Sequence, residues 1–193
     1  MSALRADPTG ADPGTAGTDA GPDDLRRLFR RHAAAVAVIT TNHRGAPVGL
    51  LVTSLASVSV APPMISFNVA RTSSSWPALQ ACEHIGLHLL AHDQEDLAVR
   101  FARKGADRFG ADTPWHPGPF RVPLIDHVAA RSVAAIEQRV TAGDHVIVVA
   151  RLLDVSTRDD LAPLLHHDGG FHRAVPTAPN GLRLAALRER PPA

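Results

Sequence analysis

Polar and apolar positions divide this chain into a leading helix, a succession of short strands and two further helices, between ends rich in Ala, Gly, Pro and Arg. Residues 1–22 show no apolar periodicity, cannot offset the entropy of ordering, and are expected to form a mobile arm. Asp23-Asp24 then opens a helix, its carboxylates meeting the free N–H groups of the first turn. Leu25, Leu28, Phe29 and His32 recur on one face, and Arg26, Arg27, Arg30 and Arg31 cover the others as a solvated surface. Residues 36–41 read as a β-branched strand, Asn42-His43-Arg44-Gly45 as a hairpin turn, and 47–54 as the partner strand. His84 to Leu90 alternates, with Ile85, Leu87 and Leu89 on one side and His84 and His88 on the other, which reads as the wet face of a half-buried strand. A helix follows from Asp93, with Leu97 and Phe101 at i and i+4 and Arg103-Lys104-Gly105 at its end. The Pro/Gly-rich run from 110 to 123 predicts a long loop, a length that commonly covers a site. Two strands, 128–140 and 145–155, flank a turn at Thr141-Ala142-Gly143-Asp144. Strands that follow one another with few helices point to an antiparallel barrel rather than a βαβ sheet, and no Gly-x-Gly-x-x-Gly follows a strand.

The stretch from Val48 to Trp76 departs from this plain pattern. Small hydroxyls appear at Thr53, Ser54, Ser57 and Ser59 among apolar residues. Ser57 and Ser59 lie two apart, so an extended chain turns both to one face and Val58 and Val60 to the other, as in a barrel wall with one polar face. Pro62-Pro63 interrupts pairing, 64–69 resumes as a strand, and Arg71-Thr72-Ser73-Ser74-Ser75 precedes a helix over 76–82. Hydroxyls, one Arg and the N–H groups of a helix start can hold a phosphate; the same residues also serve as ordinary helix caps.

Composition narrows the classes. The 193 residues fit one domain with tails, and a formal net charge of +1 offers no global field for nucleic acid or membrane. The absence of Tyr and the scarcity of other aromatics argue against a base-stacking surface. The single cysteine, Cys82, excludes an internal disulfide and suits a reducing compartment. Neither a signal-peptide core nor a membrane-length apolar run is present, so a cytoplasmic protein is expected. His166, His167, Asp168 and His172 have metal-ligand chemistry, but the Gly169-Gly170 turn between them explains their polarity as a hairpin, and no metal is expected.

The order Gly49-Leu50-Leu51-Val52-Thr53-Ser54-Leu55-Ala56-Ser57-Val58-Ser59-Val60-Ala61-Pro62-Pro63, then Ala70-Arg71-Thr72-Ser73-Ser74-Ser75-Trp76-Pro77-Ala78-Leu79, resembles the flavin reductase family. These are small FMN-binding split-barrel proteins that supply reduced flavin to two-component monooxygenases. The resemblance continues at Arg100 to Phe109, Gly143-Asp144-His145 and Pro163-Leu164-Leu165, and spans about Phe29 to Arg173. Leu55 stands where the family usually has Phe, Leu51 where Thr is common, and His166 where an aromatic is usual.

The resemblance implies a mainly β fold with peripheral helices, an antiparallel Greek-key split β-barrel of the FMN-binding type over residues 23–175, with a tail at 176–193. It implies an NAD(P)H:flavin oxidoreductase that takes FMN or FAD, with NADH or NADPH as hydride donor, and a homodimer working with a separate oxygenase component. The implied flavin contacts are Leu51, Val52, Thr53, Ser54, Ser57, Val58 and Ser59 along the strand, Arg71, Ser73, Ser74 and Ser75 at the phosphate, and Phe171 near the ring. Lys104 and Gly105 have two readings, complementing the helix dipole or directing a cation at the flavin. His145 is the candidate catalytic group, positioning the nicotinamide, with Asp144 orienting it or holding the turn. Two alternatives stay open: an oxidoreductase with tightly held FMN and its own substrate, and a flavin- or haem-binding module without catalysis.

Overall fold

The computed structural model describes residues 19–175. Most of the expected arm and the whole tail lie outside those residues. Helix α1 (Pro22–Phe29) starts where Asp24 accepts the Gly21 N–H at 2.9 Å. Strands β1 (Ala34–Ala35), β2 (Ala37–His43), β3 (Ala46–Val52), β4 (Ala56–Ser59) and β5 (Met64–Ala70) follow. The β2–β3 turn has the anticipated form: Arg44 and Gly45 take positive φ, and the Gly45 N–H donates to Asn42 Oδ1 at 2.9 Å. Then come α2 (Trp76–Ala81), β6 (His84–Leu89), α3 (Glu95–Ala102), β7 (Trp115–Pro117), β8 (Pro123–Ile125), β9 (Ala130–Ala142), β10 (His145–Leu152), β11 (Ser156–Thr157), β12 (Leu164–His167) and β13 (Gly170–Arg173).

The main sheet runs β3-β2-β6-β9-β10-β5-β4, every pairing antiparallel, with β11 on β9. Its non-sequential neighbours, β2 with β6, β6 with β9 and β5 with β10, require the long crossovers of a Greek key. The sheet curls about a core that includes Ile39, Leu50, Phe67, Ile85 and Val148. It does not close: β3 is one edge of the hydrogen-bonded order, and the barrel is split between β3 and β5.

A second core lies outside the curled sheet, where Val38, Leu90, Phe101, Ile125 and Leu164 join β2, α3 and the β1-β12-β13 sheet. The 110–123 segment is not a plain loop. Its hairpin, β7 with β8, packs on the outer side of β2 and β6, and the Thr40 hydroxyl donates to the Pro123 carbonyl at 2.6 Å. His88 is consequently not on a wet face: it is fully buried, while His84 stacks on Phe120 with ring centroids 3.7 Å apart. A central strand covered on both sides loses the polar alternation rule, because no face of it meets water.

Candidate functional site

The split between β3 and β5 is bounded by two clamps. At one end the buried Ser75 hydroxyl donates to the Gly49 carbonyl at 3.0 Å, and Arg108 Nη1 donates to the same oxygen at 2.9 Å. Position 49 admits no side chain, since a Cβ there would lie 2.6 Å from a ring carbon of Phe101. At the other end Ser54 Oγ accepts the Asn68 N–H at 2.9 Å and so carries the ladder from the end of β3 across to β5. Between the clamps, residues 50–53 present a strand edge without a strand partner among the described residues, whose backbone groups are available to a ligand.

A cleft of about 830 Å³ opens along this edge. That volume falls within the range of small-molecule and cofactor sites. Its walls include Leu51, Val52, Thr53 and Ser54 from β3 and its end, Asn68 and Ser73 beyond the split, and His145 and Ile147 from β10. His145 is half-exposed, and its Nδ1 lies 2.7 Å from Asp144 Oδ1. That hydrogen bond, with the imidazole charge, holds the Asp144 carboxyl below the usual carboxylate range. A carboxylate on Nδ1 fixes the ring tautomer and leaves Nε2 as the free ring nitrogen. Arg108 lies at the boundary of this cleft and of a neighbouring hollow of about 400 Å³ that Ser74 and Ser75 also line. Burial pushes its guanidinium below the ordinary arginine value, a direction that leaves it charged.

The expected residues divide into those the fold gathers and those it separates. Leu51, Val52, Thr53, Ser54, Ser73 and His145 meet in the cleft. Ser74 and Ser75 face the adjoining hollow, and the Ser75 hydroxyl is engaged with Gly49. Arg71 is exposed and outside the walls of both; its backbone N–H bonds the Asp144 carbonyl at 3.0 Å. Ser57, Val58 and Ser59 are not in the cleft, and their alternation fails: the β4–β5 register shifts between Ser57 and Ser59, so Val58 is an extra residue, 51 % exposed. Lys104 and Gly105 are exposed in the turn beyond α3, with Gly105 at φ +75°. Phe171 packs on the second core, its ring 5.9 Å from that of His166. Among the described residues no group of three or more His, Cys, Asp or Glu converges as a metal site; His172 Nε2–H instead donates to the His167 carbonyl at 3.2 Å.

Other wall residues escaped the sequence reading. Asn68 and Ile147 carry no chemical signature in the chain and enter the cleft as partners in the β5–β10 register, while Phe101 reaches it from α3. Arg108 had a weak signal, a lone cation between Asp107 and Phe109 after a glycine turn. From α1, Leu25, Arg26 and Phe29 also face the cleft.

The model of the flavin reductase like domain matches residues 29–174, three-quarters of the chain and the whole of the split barrel. The chain belongs to the flavin reductase family. An NADH:FMN oxidoreductase of Rhodococcus qingshengii is 38% identical to this flavin reductase over 157 residues, which are 79% of this chain and 82% of the relative. The reductase subunit of a flavin-dependent monooxygenase from Rhodococcus jostii is 29% identical over 150 residues, 78% of this chain and 76% of that subunit. The crystal structure of a flavin reductase domain protein from an Arthrobacter species superposes with a TM-score of 0.76 at 42% identity, covering 81% of this chain and 97% of the other. The split barrel is therefore the architecture this chain shares with that flavin reductase domain protein.

Proposed function

We propose that this flavin reductase transfers hydride from NADH or NADPH to FMN or FAD in the β3–β5 cleft and releases reduced flavin to a separate oxygenase component. The observation that carries the reading is the unpaired edge of residues 50–53, held open between the Gly49 and Ser54 clamps beside His145. A flavin needs a slot for a flat ring, donors along its polar edge, and polar or cationic groups for its phosphate. The apolar Leu51 and Ile147 suit the ring, the free backbone of Val52 to Ser54 suits its polar edge, and Ser73, Ser74 and Arg108 suit the phosphate. Flavin supplies the redox chemistry when bound; the protein positions it and excludes water. His145, its tautomer fixed by Asp144, orients the nicotinamide carboxamide rather than acting as acid or base.

The likeness to a monooxygenase reductase subunit supports a partner oxygenase. A homodimer is supported by the uncovered outer face of β9 and β10, where Val140, 47 % exposed, pairs with Ile147 at the cleft. No helix among the described residues is long and apolar enough to cross a membrane. The single cysteine suits the reducing environment of a cytoplasmic location. Residues 23–175 form the working domain in this reading. The test is NADH and NADPH oxidation in air by the purified chain, with FMN, FAD or no flavin. Flavin-dependent turnover is the expected result and the preferred pair names both cofactors; flavin binding with no turnover from any pair refutes the reductase reading.

A further inference from the structure

We propose that α1 is a closing wall of the cleft, whose Leu25–Phe29 face folds onto the planar heteroaromatic ring of the bound cofactor. The inference rests on the flavin reductase reading. Leu25 and Phe29 lie one helical turn apart and both line the cleft, with Arg26 beside them. Neither is buried: each is 58 % exposed, and no residue of α1 reaches the core. An eight-residue helix with no packed face is marginal in water. This one is held internally, by the Asp24 cap on Gly21 and by ion pairs of Arg26 with Asp23 and Arg27 with Asp24. The ion pair that ties the region to the body joins Arg30, just past the helix, to Asp168 of the β12–β13 turn at 3.7 Å, between two exposed side chains.

The helix thus takes most of its contacts from within itself, and an ion pair between two exposed side chains ties the segment to the body just past one end. Its two large apolar side chains border a cleft suited to a flat ring, and closure would remove both from water. Arg26 would bring a cation to the same wall, suited to the anionic chain of a nucleotide. Leu25 and Arg26 lie before the residues that match the family model, which begin at Phe29, so the match covers only the last residue of this wall.

The test uses the full chain, wild type and the double variant Leu25→Ser, Phe29→Ser. Both positions are exposed, so the variant is expected to fold as wild type, which circular dichroism checks. The first readout is the FMN dissociation constant from quenching of flavin fluorescence, with about a tenfold weakening expected in the variant. The second is trypsin cleavage after Arg26 and Arg27, read by mass spectrometry against the exposed turn residue Arg44 as reference. Saturating FMN is expected to slow cleavage in α1 and leave Arg44 unchanged. Protection by NAD⁺ but not FMN would still support closure and assign the wall to the nicotinamide ring. An unchanged FMN constant with cleavage indifferent to both ligands overturns the proposal while the reductase reading stands. A dimer that the double substitution converts to monomer with FMN binding intact also overturns it, since α1 would then cover a second copy. Failure of the wild-type chain to quench any flavin overturns the reductase reading, and the proposal with it.

Discussion

His88 gives the sharpest physical prediction, because its burial can be converted into a pH dependence. The imidazole is fully buried, its Nδ1–H donates to the Val38 carbonyl at 3.2 Å, and its Nε2 has no hydrogen-bond partner among the described residues. Burial is the main cause that pushes it down from 6.5 to about 4; the Val38 hydrogen bond opposes this, the charges of Arg131 and His116 add to it, and Asp126 opposes it weakly. Above pH 6.5 the ring is neutral in both folded and unfolded chains and contributes nothing to pH dependence. As pH falls below that value the unfolded chain binds a proton that the folded chain refuses, so stability is lost. Each unit costs about 1.4 kcal/mol, so the loss is about 2 kcal/mol at pH 5 and about 3 kcal/mol near pH 4. Replacing His88 by Leu removes the titration and costs a pH-independent ~1 kcal/mol for the lost hydrogen bond. Urea unfolding at pH 8 and pH 5, followed by tryptophan fluorescence, separates the two effects. Wild type is expected to lose about 2 kcal/mol more than His88→Leu over that interval. Equal losses in the two proteins would refute the buried neutral imidazole.

Three further outcomes follow from the site. Ser54→Ala removes the acceptor of the Asn68 N–H, and is expected to cost about 1–2 kcal/mol and to weaken flavin binding by loosening the split, measured by urea unfolding and flavin titration. Gly49→Ala places a Cβ 2.6 Å from Phe101 and 3.1 Å from Phe109, and is expected to destabilise by about 1–3 kcal/mol; calorimetry showing no change would mean the α3 side of the cleft yields freely. His145→Ala is expected to raise KM for the nicotinamide donor with the flavin dissociation constant unchanged, because the ring borders the mouth of the cleft and its partner Asp144 is exposed. A parallel loss of flavin binding would instead place His145 against the flavin.

The order of strands, the hairpin at Asn42 to Gly45, the helix starts and the Gly143-Asp144-His145 turn could be read in the chain, because each depends on residues close together in sequence. So could part of the cleft, since Leu51 to Ser54 form one continuous strand edge. The resemblance carried Phe171 and Lys104 to the flavin as well, but this chain turns one into its second core and leaves the other in solvent.

What the chain could not announce depends on distant partners. Val58 would alternate with Ser57 in an unbroken ladder, and a shift in β5 pairing alone turns it outward. His88 has the sequence pattern of a wet strand face, yet the β7–β8 hairpin lies over its strand and excludes water. Arg108 becomes a clamp because the Gly49 carbonyl, 59 positions away, lies on the strand edge that no other strand among the described residues covers. Local preference is written in neighbouring residues, whereas burial and the direction of a side chain at an open edge are set by whichever segment arrives to cover it.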